Sequence, residues 1–126
     1  MKKIITSVTA PPAIGPYSQG TEAGGLIFLS GQLGLDPASK AFAGSTAESQ
    51  AEQALKNIGA VLEAAGVGYA NVVKATVLLT DIADFPSVNA VYAKYFSADF
   101  PARSTYAVKA LPLGALVEIE VVAYRG

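Results

Sequence analysis

The feature that most constrains this chain is its last apolar segment, because that segment contains two acidic residues. Between Leu116 and Val122 the sequence reads LVEIEVV, although charged residues make up only 15% of the chain. Side chains alternate faces along a strand, so Glu118 and Glu120 point to the same side and the intervening apolar residues to the other. Such a pair either faces water or lines a pocket or interface in which the acids act.

A single arginine precedes the next strand upstream. Arg103 carries a permanently charged, planar guanidinium group that matches a carboxylate. If the strand predicted over 104–110 pairs with the glutamate strand through the Leu-Pro-Leu-Gly-Ala connection, Arg103 lies near Glu118. The arginine would then hold a small acid. The alternative is a structural ion pair with Glu118, Glu120 or Asp99.

The composition excludes several classes of protein. The 126 residues fit one domain, 1–126. The chain contains no cysteine and no histidine, which excludes disulfides, thiolate nucleophiles, a serine–histidine–acid triad and the usual zinc ligands. A formal net charge of −1 offers no basic excess for nucleic acid. No apolar run is long enough for a membrane span or a signal-peptide core, so we expect a cytoplasmic protein, or one exported by a route not visible in the sequence.

Hydrophobic periodicity predicts two helices. Ser45 and Glu48 have the spacing of a capping box, and a helix from there is expected to stop at Gly66. A second helix is expected from Asp84, as its cap, to Phe96. Strands are predicted at 2–6, 20–23, 26–31, 72–79, 104–110 and 116–124. The sequence therefore predicts an α+β domain with a mixed six-stranded sheet and two helices on one face.

Three of the predicted strands are apolar on both sides. These strands span 26–29, 72–79 and 116–123, and both faces of the first are expected to be buried. Two helices cover only one face of such a sheet, and the chain has no further element for the other. A second copy of the chain is the simplest cover, which predicts a symmetric oligomer with pockets completed between subunits.

The two glutamates have a catalytic and a structural interpretation. One of them could orient or deprotonate a water molecule. Alternatively, both face solvent or pair with Lys74 or Lys109 across strands.

Several other residues are candidates for a ligand pocket. Tyr17 lies in a proline-rich loop and either lines a pocket or packs the loop onto the core. Ser30 and Gly31 end a strand, where Gly31 either offers its backbone N–H to a ligand or makes a turn or bulge. Thr105 shares a strand face with Arg103 and could touch a ligand, although a threonine in a strand needs no such reason. Asn89, on the second helix, is expected to bond a loop backbone.

An ordered set of segments resembles the YjgF/RidA family of reactive-intermediate deaminases. Each segment alone is weak, but the set spans nearly the whole chain in the family's order. The segments are AIGPYSQ (13–19), LSGQ (29–32), QAxxALxNI (50–58), VVKATVxLxD (72–81), FxxVNxVY (85–92), FPARST (100–105) and LPxGALVEIE (111–120).

The resemblance implies a chorismate-mutase-like fold assembled as a homotrimer, with a central barrel and ligand clefts between subunits. It also implies hydrolysis of reactive 2-imino acids and their enamine tautomers, such as 2-iminobutanoate and 2-iminopropanoate, to 2-keto acids and ammonia. No metal or other cofactor is implied.

The family's roles also apply to individual residues. Arg103 would pair with the substrate carboxylate, and Glu118 would position the hydrolytic water. Tyr17 would be the pocket tyrosine, and Ser30 and Gly31 would line the cleft. Thr105 stands where many members have cysteine; because that position largely contributes backbone contacts, we expect activity to be kept.

Three alternatives remain open from the sequence. The fold could serve as a non-catalytic module that binds small carboxylates. A pathway-specific deaminase acting on another imine or enamine would have the same motifs. A ribonuclease is disfavoured by the acidic pI of about 5.3 and by the lack of a basic, aromatic-rich groove.

Overall fold

The strands of this chain form one mixed sheet, and two helices cover one of its faces. The computed structural model describes residues 1–126. No helix is both long and apolar enough to cross a membrane. The elements are β1 (Lys3–Ile5), β2 (Gly20–Ala23), β3 (Leu26–Leu29), β4 (Gln32–Leu33), α1 (Ala47–Ala64), β5 (Val72–Leu79), α2 (Phe85–Tyr95), β6 (Ala102–Ala107) and β7 (Val117–Tyr124).

The strand order is β1-β2-β3-β7-β5-β6, with β4 also paired to β7. Only β5 and β6 are parallel; the other neighbours are antiparallel. The predicted pairing of the Arg103 strand with the glutamate strand is therefore wrong. Helix α2 connects β5 to β6 as a crossover, which brings the chain back to start a strand parallel to β5. Strand β5 thus lies between the arginine strand and the glutamate strand.

The sheet has seven strands instead of the predicted six, because the predicted strand 26–31 is interrupted. Phe28 pairs with Val122 and Gln32 pairs with Ile119. Three residues, 29–31, therefore lie opposite two residues, 120 and 121, which is the count of a β-bulge. The bulge places the Ser30–Gly31 pair beside the acidic part of β7.

Both helices exist as predicted, but their caps differ. The N-cap of α1 is Thr46, whose side chain accepts from the backbone N–H of Ser49, so the capping box lies one residue after the predicted Ser45. Gly66 follows the C-cap in a left-handed conformation, as expected. Asp84 occupies the N-cap of α2 without a side-chain bond; Asp81 instead caps the short turn before it, by accepting from Ala83.

The two faces of the sheet have different environments. Val117, Ile119 and their counterparts on the other strands are buried against α1 and α2 in a core cluster of 24 residues. On β3, only Ile27 and Leu29 are buried, while Phe28 is 43% exposed. The expectation that both faces of β3 are buried is therefore wrong within one chain. We call the face bearing Phe28 and Glu118 the outer face; no element of the chain covers it.

Candidate functional site: two half-sites on opposite faces of the sheet

A cleft of about 690 Å³ lies beside the glutamates of β7. We call it the glutamate cleft. It contains five of the residues singled out from the sequence: Tyr17, Ser30, Gly31, Glu118 and Glu120. The proline-rich loop 10–19, the bulge and the turn at 112–114 form its walls. The structure thus brings together every predicted site residue except Arg103 and Thr105.

Glu118 is half-buried in this cleft and packs against the bulge. A Cβ atom built on Gly31 would lie 2.5 Å from Glu118 Oε2 and 2.8 Å from its Cδ. Glycine is therefore needed at 31 so that the carboxyl group can approach the backbone closely. Of the roles predicted for Gly31, the bulge is therefore confirmed, and the close approach of Glu118 explains why position 31 has no side chain.

The electrostatic setting of Glu118 disfavours its ionised form. Burial raises the pKa of this carboxyl group, and the nearby charge of Glu120 raises it further. The two ion pairs of the chain join Lys94 to Glu52 and Arg125 to Glu22. The predicted alternative, a lysine partner for the glutamates, is therefore not found. Lys74 donates instead to Ser104 Oγ at 3.0 Å. A carboxylate without a cationic partner and with a raised pKa is suited to accept a proton from water.

The loop that carries Tyr17 is held to the sheet by hydrogen bonds. Ser30 Oγ donates to the carbonyl of Ser18 at 2.6 Å, and the Ser30 N–H donates to the carbonyl of Gln19 at 3.0 Å. The buried Gln19 side chain donates to the Pro11 carbonyl at 2.7 Å and accepts from the Ser7 N–H at 2.6 Å. The sequence showed no sign of this role for Gln19 beyond its place at the end of the loop.

Tyr17 lies on the cleft side of the loop and not against the core. Its side chain is 51% exposed, and its hydroxyl accepts a long hydrogen bond, 3.4 Å, from the Ile14 N–H. The alternative of an aromatic plug is therefore wrong within one chain.

Arg103 occupies a second cavity, of about 410 Å³, on the other side of the sheet. We call it the arginine pocket; it is lined by α2 and by the segment 100–103, with Asn89, Tyr92, Phe96, Phe100 and Pro101 beside Arg103.

Arg103 makes one side-chain hydrogen bond and two aromatic contacts. Its Nη1 donates to Asn89 Oδ1 at 2.7 Å. Its Cζ lies 4.8 Å from the ring centroid of Tyr92 and 5.3 Å from that of Phe85, within cation–π range. The structural ion pair offered as the alternative for Arg103 is absent, and the expectation that Asn89 bonds a loop backbone is wrong.

Thr105 shares the face of Arg103, as predicted. Its side-chain oxygen is buried and has no hydrogen-bond partner. The hydroxyl is therefore closed to solvent in one chain, and a contact from this residue to a ligand would come from its backbone. Strand β6 is an edge strand, so the backbone groups on its outer edge have no strand partner.

The register shows that the two half-sites lie on opposite faces. Arg103 is aligned with Ala75 on β5, whose own partner on β7 is Val121, and both partners are buried under the helices. Glu118 is aligned with Leu78 and lies on the outer face. The predicted cleft with Arg103 beside Glu118 is therefore not formed within one chain.

The sequence of this chain is similar to a known protein family and to proteins with known names. Residues 7–125 match the sequence profile of a family described as Endoribonuclease L-PSP. A protein of Bos taurus named 2-iminobutanoate/2-iminopropanoate deaminase is 54% identical over 126 residues, covering all of this chain and 92% of that protein. The chloroplastic Reactive Intermediate Deaminase A of Arabidopsis thaliana is 53% identical over 97% of this chain, and the alignment spans 65% of that longer protein.

A solved structure has the same fold. The crystal structure of Escherichia coli TdcF with bound serine superposes with a TM-score of 0.94 and 38% sequence identity, covering 98% of this chain and 99% of that one. The fold predicted by resemblance is confirmed, with the extra strand and the β5–β6 pairing noted above.

Proposed function

This chain belongs to the Endoribonuclease L-PSP family, the YjgF/RidA family that its motifs resemble, and on that premise we propose that it hydrolyses reactive 2-imino acids. The proposed substrates are 2-iminobutanoate, 2-iminopropanoate and their enamine tautomers, and the products are 2-keto acids and ammonia. The observation that carries the proposal is Arg103, a guanidinium without a carboxylate partner at the wall of an open pocket. The bovine relative named for this activity is identical at about half of the positions over the full length of this chain.

The proposal requires more than one copy of the chain. Arg103 and Glu118 lie on opposite faces of the sheet, so one substrate can meet both only if they come from different subunits. A head-to-tail contact that joins the arginine pocket of one copy to the glutamate cleft of the next closes into a ring. We propose the homotrimer that the resemblance implies. The exposed aromatic residues Phe28, Tyr106 and Tyr124 of the outer face are available for burial in it.

The proposed mechanism is assisted attack of water on a fixed imine. The guanidinium of Arg103 binds the substrate carboxylate through two N–H groups and thereby places the imine carbon in the cleft of the neighbouring subunit. The Glu118 carboxylate accepts a proton from a water molecule as the oxygen attacks that carbon. Glu118 passes that proton to the imine nitrogen, which gives a carbinolamine. The hydroxyl proton of the carbinolamine then moves through Glu118 to the same nitrogen, the C=O bond forms as the C–N bond breaks, and ammonia leaves the 2-keto acid.

The remaining cleft residues orient the substrate. The Tyr17 hydroxyl stands at the wall as a hydrogen-bond donor, and Gly31 offers its backbone. Ser30 holds the loop through the Ser18 carbonyl and lines the same wall, and Thr105 contributes backbone groups at the edge of β6. No step uses a metal or other cofactor.

A second candidate is a non-catalytic module that binds small carboxylates. The serine bound to the TdcF relative favours it, because serine carries the carboxylate that Arg103 would recognise. A pathway-specific deaminase remains an alternative predicted from the sequence. The cytoplasmic location also remains a prediction from the sequence.

The test is a coupled assay in which a threonine or serine dehydratase generates the imine in situ. We expect faster loss of the imine with the wild-type protein. Arg103→Ala should remove most of the acceleration, and Arg103→Lys, which keeps the charge but not the fork, should recover only part of it. No acceleration, together with binding of 2-oxobutanoate, would replace the enzyme with the binding module. Salt-sensitive cleavage of RNA by the purified protein would instead support the alternative that this chain is a ribonuclease, the activity that gives the family its description.

A further inference from the structure

We infer that Asn89 is a positioning residue, which holds the Arg103 guanidinium ready for the substrate carboxylate without neutralising its charge. The inference deepens the proposed function and rests on it. Asn89 lies in the FxxVNxVY segment (85–92), but none of the roles that the family resemblance implies falls on it. Its side chain is exposed, which would otherwise mark it as an ordinary surface residue.

Contacts with a single helix hold the Arg103 side chain in place. Arg103 is an exposed arginine on an edge strand, and the side chain of such a residue is normally mobile. Here one N–H donates to Asn89 Oδ1 at 2.7 Å, and the guanidinium carbon lies 4.8 Å from the Tyr92 ring and 5.3 Å from the Phe85 ring. Three contacts from a single helix therefore hold the Arg103 guanidinium group in place before any ligand binds.

The helix residues that hold Arg103 are anchored in the core. Asn89 and Tyr92 are three residues apart and Phe85 and Asn89 four apart, so all three side chains lie along one side of α2. Tyr92 is 5% exposed and belongs to the core cluster. The support for Arg103 is thus anchored in the core, and the ordering cost of the arginine is met before the substrate binds.

Asn89 holds the guanidinium without adding a charge beside it. An asparagine oxygen is a neutral acceptor, and the other N–H groups of the guanidinium stay available. An aspartate of the same shape would accept the same bond but would pair with the cation and compete with the substrate carboxylate. If Asn89 only stabilised β6 against α2, a charged acceptor would serve as well. If Asn89 positions Arg103 for a ligand, the acceptor must be neutral.

The variants Asn89→Ala and Asn89→Asp test the inference. Ser87→Ala is the matched control: Ser87 lies on the same helix, and its hydroxyl bonds the Asp84 carbonyl and not Arg103. We expect Asn89→Ala to raise KM about tenfold, equivalent to about 1.4 kcal/mol. We expect kcat to stay within about twofold, because a contact used equally in the ground and transition states was lost. Asn89→Asp should raise KM at least as much although the isosteric oxygen is kept.

Calorimetric titration with 2-oxobutanoate separates this inference from the proposed function. If the wild type binds this carboxylate without deaminating imines, the proposed function fails, and the same rise in Kd for both variants still supports the role of Asn89. Full recovery of KM and Kd in Asn89→Asp would overturn the inference, since that is the result of a purely structural acceptor. Unchanged KM and Kd in Asn89→Ala, or no binding of 2-oxobutanoate by an inactive wild type, would overturn it as well.

Discussion

Arg103 and Glu118 lie on opposite faces of one sheet, separated by strand β5. Arg103 is aligned with the buried Ala75, and Glu118 with Leu78, three residues further along the same strand. Odd separations along a strand place side chains on opposite sides. A substrate that needs both the cation and the carboxylate must therefore lie between two copies of the chain.

The variant Gly31→Ala tests whether the close approach of Glu118 to the backbone is needed for catalysis. Gly31→Ala would put a Cβ atom 2.5 Å from Glu118 Oε2, and the flexible carboxyl group, not the backbone, is the group that would move. We expect a fall in kcat of at least tenfold with little change in Tm, because the base is displaced from the reacting water. Gly68→Ala is the control, since nothing lies within 4 Å of the added atom. Equal kcat in the wild type and Gly31→Ala would contradict this role.

Glu120 is expected to tune the pH dependence of the reaction. Burial and the charge of Glu120 raise the pKa of Glu118 above that of an ordinary glutamate. Because the ionised form is the base, kcat/KM should fall on the acid side as Glu118 becomes protonated. Glu120→Gln removes the like charge, so the acid limb of the profile should move to lower pH. A pH–rate profile of each protein checks this, and an unmoved limb would show that Glu120 does not influence the base.

We expect the ionised form of Glu118 to lower the free energy of unfolding at neutral pH. A carboxyl group whose pKa is raised in the folded state contributes stability below its unfolded pKa and loses that contribution as the pH rises through the folded pKa. Glu118→Gln avoids the loss, so this variant should have a higher Tm than the wild type at pH 7. The difference should shrink toward zero below about pH 4, where both side chains are neutral. A Tm difference that is independent of pH would contradict a raised pKa of Glu118 as the cause.

Ser30 is expected to act through the loop and not through the chemistry. Ser30→Ala removes the 2.6 Å bond to the Ser18 carbonyl and leaves that acceptor without its partner. We expect a loss of about 1 kcal/mol in unfolding free energy. Because the loop carries Tyr17, KM should rise while the pH profile keeps its shape. Denaturant unfolding and steady-state kinetics measure both effects, and a changed acid limb would instead indicate a contact between Ser30 and the reacting groups.

The elements with strong local signals could be predicted from the sequence. Strand β5 has the predicted bounds, 72–79, and the alternation of Glu118 and Glu120 with buried apolar residues on β7 is confirmed. Helix α1 lies where the hydrophobic periodicity predicts a helix, because burial of a periodic stripe of apolar residues is a local property. The turn at Gly24–Gly25 between β2 and β3 also has a local signal, because both residues take positive φ angles that glycine permits.

The features that were missed depend on contacts between distant segments. Strand pairing is not encoded locally, so the sequence does not show that β6 pairs with β5 instead of with the glutamate strand β7. The bulge at Ser30–Gly31 arises from the register of β3 and β4 along β7. The acceptor for Arg103 is fourteen residues away on α2, and a single asparagine beside the apolar side of that helix gives no local sign of such a contact. Each of these decides where a predicted site residue lies, although the residues themselves were identified.

The most direct test of the account is complementation between two inactive variants. Arg103→Ala and Glu118→Gln are each expected to be nearly inactive alone. When the two chains are co-expressed and assemble at random, a site formed between subunits receives an intact arginine and an intact glutamate in about a quarter of cases. We expect the mixture to recover about a quarter of the wild-type rate of imine hydrolysis. Mixed oligomers, verified by mass, that are no more active than the separate variants would contradict the claim that each site takes Arg103 from one subunit and Glu118 from another.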